Sequence, residues 1–157
     1  MANPFAESKT FHKLGNITNT PVFKMMPTPK GIALVTTKGR KSGKPRARPM
    51  RAVRDGERVY AVSILGFRAD WLRNVRADAN VTVKLGRKTY HATARELVDP
   101  AERAQAAALY GPVAGWYDYV DYANFVWSIP TRAKLLRVHD EWFGKGIPVV
   151  FELGAEV

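Results

Sequence analysis

Residues 31–64 read GIALVTTKGRKSGKPRARPMRAVRDGERVYAVSI, which is a pattern of short β-branched and apolar runs separated by turn residues. The runs predict three strands, at residues 32–37, 46–54 and 58–64. The first run is bounded by glycines, as buried strands often are. Asp55-Gly56 separates the second run from the third and is a strong hairpin signal. This part of the chain therefore predicts consecutive antiparallel strands.

The rest of the chain predicts three more strands and three helices. The strands are expected at residues 81–85, 90–98 and 147–153, and the helices at residues 70–77, 100–110 and 129–142. Asp70 is expected to be the N-cap of its helix, with Trp71, Leu72 and Val75 on the buried face. Pro100 suits the first position of the next helix.

This order of elements predicts a single domain that is mainly β with inserted helices (α+β). Successive hairpins favour a mostly antiparallel sheet, rolled into a small closed or split β-barrel. We expect residues 31–157 to form this domain. Residues 1–30, which contain four prolines, are interpreted as a lead-in segment with a short helix around Phe5–Leu14.

Composition excludes several classes of protein. The chain has 157 residues, and 25 Lys and Arg against 14 Asp and Glu give a formal charge of +11. A hydrophobic fraction of 46% can supply a core, but no apolar run approaches the roughly 20 residues of a spanning helix. There is no cysteine, so disulfides and thiolate chemistry are excluded. The N-terminal residues lack the pattern of a secretory signal, and we expect a cytoplasmic location.

A basic loop follows the first predicted strand and is the strongest local feature. It places five cations around two glycines, namely Arg40, Lys41, Lys44, Arg46 and Arg48. Backbone N–H groups in such a turn can bind an anion, and arginine adds bidentate contacts to phosphate or carboxylate. The spacing is not that of a P-loop. The alternative is a solvated hairpin whose charges serve solubility.

Other chemistry has weaker support. His12, His91 and His139 are too far apart in sequence to suggest a metal site, and we expect none. No nucleophile elbow surrounds a serine. Asp118 and Asp121 could form an acid–base pair, but we interpret them as solvated loop acids. The aromatic residues 116–127 around them suit the side of a pocket for a planar ligand, although an ordinary core would use them too.

Three motifs together resemble one enzyme family. Residues 34–46, LVTTKGRKSGKPR, look like the signature of deazaflavin (F420)-dependent nitroreductases, a flavin/deazaflavin oxidoreductase group of actinobacteria. Residues 71–79, WLRNVRADA, are similar to a second motif of that family, and residues 147–150 match its terminal strand. The resemblance covers residues 31–153 and implies a split β-barrel of the FMN-binding type. It also implies an oxidoreductase that uses the reduced deazaflavin F420, which carries a phosphate and a polyglutamate tail.

The resemblance assigns roles by position in this chain. It implies that Arg40, Lys41 and Ser42 hold the phosphate and tail, with Arg46 and Arg48 beside them. Further cofactor contacts are implied for Pro49, Met50, Arg51, Ser63, Ile64, Asp70, Trp71 and Asn74. For the substrate side, Ser63, Tyr117, Tyr119 and Tyr122 are candidates to donate a hydrogen bond or a proton to the reacting oxygen.

The expected function is transfer of a hydride from reduced F420 to a small or lipophilic electron-poor acceptor. Quinones and enones are the broader expectation, because residues 64–79 depart from the nitroreductase pattern. One alternative is a split barrel that binds FMN or another ligand without turnover. A second is a basic nucleic-acid-binding module, which we rank lower because the predicted strands carry few aromatics. Peripheral contact with an anionic membrane could coexist with a lipophilic quinone substrate. The chain could be a monomer or a homodimer.

Overall fold

Six antiparallel strands close into one barrel in a computed structural model that describes residues 8–157. The strands are β1 (Ile32–Lys38), β2 (Pro45–Asp55), β3 (Arg58–Ser63), β4 (Asn80–Leu85), β5 (Lys88–Glu96) and β6 (Ile147–Glu156). They are ordered β1-β2-β3-β6-β5-β4, and β4 pairs with β1 to close the barrel. The predicted fold class is therefore confirmed, and each predicted strand is present within two or three residues of its expected ends.

Five α-helices surround the barrel. They are α1 (Lys9–Met25), α2 (Asp70–Ala77), α3 (Pro100–Tyr110), α4 (Trp116–Val126) and α5 (Arg132–Lys145), and a 3-10 turn at Gly66–Arg68 precedes α2. The aromatic segment forms helix α4, which the sequence did not predict, and Trp127 is the C-cap of that helix. The last helix begins after Thr131, whose hydroxyl accepts from Lys134 N, and runs through Gly144 to Gly146. A Cβ at Gly146 would lie 2.7 Å from the Ser63 carbonyl oxygen, so only glycine fits there.

Helix α1 is longer than the predicted helix and starts later. Phe5 lies outside the described residues, and within them the helix begins after the N-cap Ser8 and continues through Pro21 to Met25. Its last turn packs on the barrel because Phe23 is buried against Ile32 and Leu34. Tertiary contacts thus hold a helical turn that proline alone would disfavour.

Asp70 is not an N-cap, contrary to the prediction. Ala69 occupies that position, and Asp70 is the first helical residue, where a carboxylate still favours the helix dipole. The predicted buried face is correct, since Trp71, Leu72 and Val75 are all buried.

The barrel interior and one outer layer make up most of the apolar core. Inside, Ala33, Val35, Val59 and Val83 pack with Phe151. Outside, a second cluster packs α3 and α5 against β2, β3 and β6. Side chains fill the interior of a barrel of this size. A ligand must therefore bind on the outer surface of the barrel.

Lys84 fastens α1 to the barrel. From β4, its ammonium lies 2.8 Å from the Phe23 carbonyl oxygen and 3.0 Å from those of Lys24 and Met26. These carbonyls belong to the end of α1, where a helix leaves its acceptors unpaired and favours a positive charge. One side chain therefore fixes the C-terminal end of α1 relative to β4.

We expect Lys84→Met to loosen α1 and leave the barrel folded. Hydrogen bonds to a charged group contribute about 1.5–3 kcal/mol, so the local free energy of opening of α1 should fall by about that amount. Native-state hydrogen exchange of the α1 amides measures it. Lys88→Met is the control, because Lys88 pairs with Glu156 on the opposite side of β5 from α1 and should leave α1 protection unchanged. Equal protection in both variants would contradict the prediction.

Candidate active site

Two adjoining cavities lie on the outer surface of the barrel, beside β2 and between α1, α2 and α4. One has a volume of about 440 Å³ and the other about 540 Å³. They share His12, Arg48, Leu65, Ala69 and Trp71 as lining residues, so they form one continuous groove. Every residue to which the resemblance assigned a cofactor contact lines one cavity or the other.

The larger cavity is cationic and is formed by the basic loop. Arg40, Lys41, Ser42 and Arg46 line it, whereas Lys44 does not. The turn is compact because Gly43 N–H donates to the Gly39 carbonyl at 2.7 Å and Gly43 has a φ of +68°. The loop thus directs its cations into a concave surface, as an anion site requires.

Helix α2 positions the cation of Arg40. The Asn74 side-chain oxygen accepts from Arg40 N at 3.2 Å and from Arg40 Nη1 at 3.1 Å, and Arg40 Nη2 donates to Asp70 at 3.3 Å. Asn74 is itself buried and donates to the Thr37 hydroxyl. Burial alone would raise the pKa of Asp70, but the hydrogen bonds and charges of Lys9 and Arg40 outweigh it and lower that pKa below its usual value. Both α2 polar residues therefore orient the loop.

Arg48 stands where the two cavities meet. It lines both of them, and its buried Nε has no hydrogen-bond partner among the described residues. Burial lowers the pKa of its guanidinium to about 10, and the charge of Asp70 only partly opposes this effect. A buried donor without an acceptor costs free energy, which an anionic ligand at this junction would recover.

The smaller cavity is mainly apolar. Its floor comes from β2 and the end of β3, where Pro49, Met50, Ser63 and Ile64 line it together with Trp71. Ser63 is fully buried, and its hydroxyl donates to the Gly66 carbonyl at 2.9 Å. That hydrogen bond occupies the Ser63 proton and orients its oxygen toward the turn.

Helical spacing on α4 separates the three candidate tyrosines. Tyr117 lines the apolar cavity, and Tyr119 and Tyr122 do not. Asp121 and Asn124 follow Tyr117 at intervals of four and three and line the same cavity, so this face of α4 is the one toward the groove. Burial, and then the charge of Asp121, raise the pKa of Tyr117 to about 12.

A buried ion pair ties α4 to the barrel. Arg51 Nη1 lies 2.8 Å from Asp118 Oδ1, and Arg51 Nη2 donates at 2.6 Å to the carbonyls of Tyr110 and Val113. The side chains of the pair are 5% and 2% exposed. Asp118 also accepts from Gly115 N at 2.6 Å, at the start of α4. The interpretation of Asp118 as a solvated loop acid was therefore wrong, because the residue is helical and buried.

His139 completes this buried group from α5. Its Nδ1 lies 3.2 Å from the Gly111 carbonyl oxygen, and its Nε2 lies 3.9 Å from Asp118 Oδ1. Burial, and then the Arg51 cation, lower the pKa of His139 to about 4, so the ring is neutral at pH 7. A neutral ring donates from Nδ1 to Gly111, which leaves Arg51 as the charge that balances Asp118.

Asp121 differs from Asp118 because it faces the cavity. It is half-buried, and desolvation, followed by the negative charge of Asp118, raises its pKa to about 7, with Arg51 opposing the shift. It too is helical rather than a loop acid, and it is not fully solvated. The structure thus puts a carboxyl that can be protonated near neutral pH into the apolar cavity.

Sequence reasoning missed the contribution of α1. Six of its residues line the apolar cavity beside β2, namely Phe11, His12, Leu14, Gly15, Thr18 and Asn19. A signal was present, since Ser8 is a favourable N-cap and apolar residues recur at helical spacing after it, but the prolines obscured it. Trp127 and Trp142 also line this cavity from the ends of α4 and α5.

Comparisons with known proteins agree with the fold. A family model described as F420H(2)-dependent quinone reductase matches residues 9–135. A solved structure described as an F420-H2 dependent reductase (FDR-A) is 27% identical, with 82% of this chain and 97% of that chain covered and a TM-score of 0.52. A structure described as a domain-swapped dimer is 24% identical over 88% and 95% of the two chains, with a TM-score of 0.52.

A more distant neighbour shows the fold alone. It is a putative pyridoxamine 5′-phosphate oxidase from Listeria innocua, 11% identical over 90% of this chain and 94% of that chain, with a TM-score of 0.50. Together these matches confirm the split-barrel fold and the family resemblance found in the sequence.

Proposed function

Because this chain belongs to the F420H2-dependent quinone reductase family, we propose that it binds reduced F420 and uses it to reduce a small or lipophilic electron-poor acceptor. Quinones, enones and nitro compounds are the acceptor classes that fit a mainly apolar cavity. The observation that carries this proposal is the continuous groove, cationic at one end and apolar at the other. At its middle lies the Arg48 Nε, which has no hydrogen-bond partner in the described part of the chain.

The residues of the groove fit a ligand with an anionic tail and a flat ring. Arg40, Lys41, Ser42 and Arg46 would hold the phosphate and carboxylates of the tail, and Arg48 would meet the part of the tail nearest the ring. Met50, Ile64 and Trp71 would pack along the ring. When bound, reduced F420 supplies a hydride to the electron-poor acceptor.

The protein's own part is to orient and to exclude water. Residues of helices α1 and α4 line the apolar cavity, and Tyr117 is one of them. Such positioning and exclusion of solvent lower the barrier for transfer between two bound molecules. Among the sequence candidates, Tyr117 is favoured over Tyr119 and Tyr122 because it alone of the three lines the cavity, and Ser63 is favoured as an orienting residue.

Titration with two cofactors tests the proposal. We expect saturable binding of F420 at micromolar protein and weaker binding of FMN, because several cations face the tail and FMN offers a single phosphate. F420H2 oxidation with a quinone, an enone and a nitro compound then identifies the acceptor class. Binding of FMN but not F420, or F420 binding with no turnover of any acceptor, would instead support the ligand-binding alternative.

A second candidate property is peripheral contact with an anionic membrane. Several large apolar side chains on and near α1 and α4 are exposed, including Ile17 at 61%, Met25 at 88% and Trp116 at 67%. Within the described residues no helix is long and apolar enough to span a bilayer. Exposed apolar groups beside surface lysines suit adsorption to an anionic surface, which would also concentrate a lipophilic quinone.

Vesicle flotation measures this contact. We expect the chain to float with anionic vesicles and the double variant Ile17→Ser, Met25→Ser to float less, with unchanged F420 binding. Point variants are needed because removal of residues 1–30 would also delete one side of the groove. Equal flotation of both proteins would count against a contact through α1.

A further inference from the structure

We propose that Asp121 is the acid that protonates the reduced acceptor. This rests on the proposed function, and it adds a role for a side chain that neither the motifs nor the family match assigns. Asp121 lines the apolar cavity on the same face of α4 as Tyr117, and Met50 and Ser63 from β2 and β3 line the same cavity. An acceptor bound there would lie against the Asp121 side of α4.

The packing of α4 explains how Asp121 keeps a proton. Asp118, one turn earlier, forms an ion pair with Arg51 at 2.8 Å and places a second carboxyl group near Asp121. The Nη atoms of Arg51 donate to Asp118 and to two backbone carbonyls, and within the described residues Arg51 forms its ion pair with Asp118 and not with Asp121. Two nearby carboxyls that share one cation favour protonation of the less well-paired one. Its raised pKa agrees with this geometry.

The charged and titratable groups that face this region come from every packed element. They are Asp118 and Tyr117 on α4, Arg48 and Arg51 on β2, Tyr110 on α3, His139 on α5 and His12 on α1. Burial raises the pKa of Tyr117 to about 12 and lowers that of His139 to about 4, so neither group titrates near pH 7. Tyr110 is fully buried and its pKa is raised further still. His12 is the remaining group whose ordinary pKa lies near neutrality.

The chemistry balances without a further reactant. A quinone that accepts a hydride gains two electrons and one proton, and the cofactor is oxidised by the same two electrons. One O–H bond forms in that transfer, and the other oxygen becomes an oxyanion. The Asp121 O–H bond breaks as its proton moves to this oxyanion, which yields the neutral hydroquinone. The Asp121 carboxylate then takes a proton from water, and proton transfer of this kind typically contributes about 10²–10⁴-fold in rate.

The test compares Asp121→Asn with the matched control Asp55→Asn, the same change at an exposed carboxyl in the β2–β3 hairpin. The first readout needs no cofactor: carboxyl ¹³C NMR of Asp-labelled protein. We expect one aspartate to titrate near neutral pH in the wild type and in Asp55→Asn, and that signal to be absent from Asp121→Asn. If no aspartate titrates near neutral pH, the proposal is overturned. Retention of the signal in the Asp121→Asn variant overturns it as well.

The second readout is the pH profile of turnover, together with F420 affinity. We expect wild-type kcat to fall as pH rises above about 7, where the acid loses its proton, and Asp121→Asn to lose about 10²–10⁴-fold in kcat with its F420 affinity kept. Tyr117→Phe tests the other candidate proton donor. If Tyr117 were the donor instead of Asp121, kcat would stay level to alkaline pH and the Tyr117→Phe variant would lose it. If kcat is unchanged in Asp121→Asn and F420 binding is normal, the role of Asp121 is refuted and the proposed function stands. If the wild type does not bind F420, the proposed function and this proposal are both refuted.

Discussion

Arg51→Met is expected to lower the free energy of unfolding by about 3–5 kcal/mol, the typical cost of removing one partner of a buried ion pair. Asp118 would remain as a buried carboxylate, because the neutral His139 ring, 3.9 Å away, does not replace the lost charge at pH 7. The carbonyls of Tyr110 and Val113 would lose their donor too. Urea denaturation followed by circular dichroism measures the change.

The double variant Arg51→Met, Asp118→Leu is the informative control. It removes both charges and should recover much of the lost free energy, since replacing a buried pair by apolar side chains is often neutral or better. Arg76→Met changes the same residue type in the exposed pair with Glu96 and should have a much smaller effect. A small loss in Arg51→Met would mean that the pair does not hold α4 on the barrel.

Arg48→Met should weaken F420 binding without lowering the free energy of unfolding. We expect F420 affinity to fall by about 1.5–3 kcal/mol, or about 10- to 150-fold, the usual contribution of a hydrogen bond to a charged group. The free energy of unfolding should stay level or rise, because the variant removes a charged group whose buried Nε has no partner among residues 8–157. Isothermal titration with F420 and urea denaturation give the two numbers.

Lys44→Met provides the matched control for Arg48→Met. Lys44 belongs to the same basic loop but lines neither cavity, so the variant removes an equal charge from the loop and should change F420 affinity little. Equal losses in both variants would indicate that only the overall charge of the loop matters. A large loss of stability in Arg48→Met would show that the residue supports the fold instead of the ligand.

The strands and the loop could be predicted because their signals are local. The Asp55-Gly56 turn fixes one hairpin, with Asp55 paired to Arg58. Burial along β2 does not alternate as its residue types do, because Arg51, Ala52 and Val53 are buried in succession. The cations of the basic loop needed only their spacing around two glycines. For these parts, residues close in sequence are also those that interact.

The helices that cover the groove depend on contacts distant in sequence. Nothing near Pro21 indicates that Lys84, some 60 residues later, will bind the end of α1. Asp118 and Asp121 are alike in sequence, and only the position of Arg51 decides which of them becomes an ion-pair partner. Propensity and spacing cannot contain such information, because tertiary packing overrides them.

The groove lies outside a barrel whose interior is filled by side chains. One set of residues therefore packs the barrel, and another set lines the groove. Substitutions on the inward faces of α1 and α4 can reshape the acceptor cavity with little penalty to the interior packing of the barrel. Directed evolution toward new acceptors should therefore concentrate its libraries on Leu14, Thr18, Asn19 and Asn124, and leave the Arg51–Asp118 pair intact. Under the proposed function, the range of acceptors could change through substitutions on α1 and α4 while the basic loop stays constant.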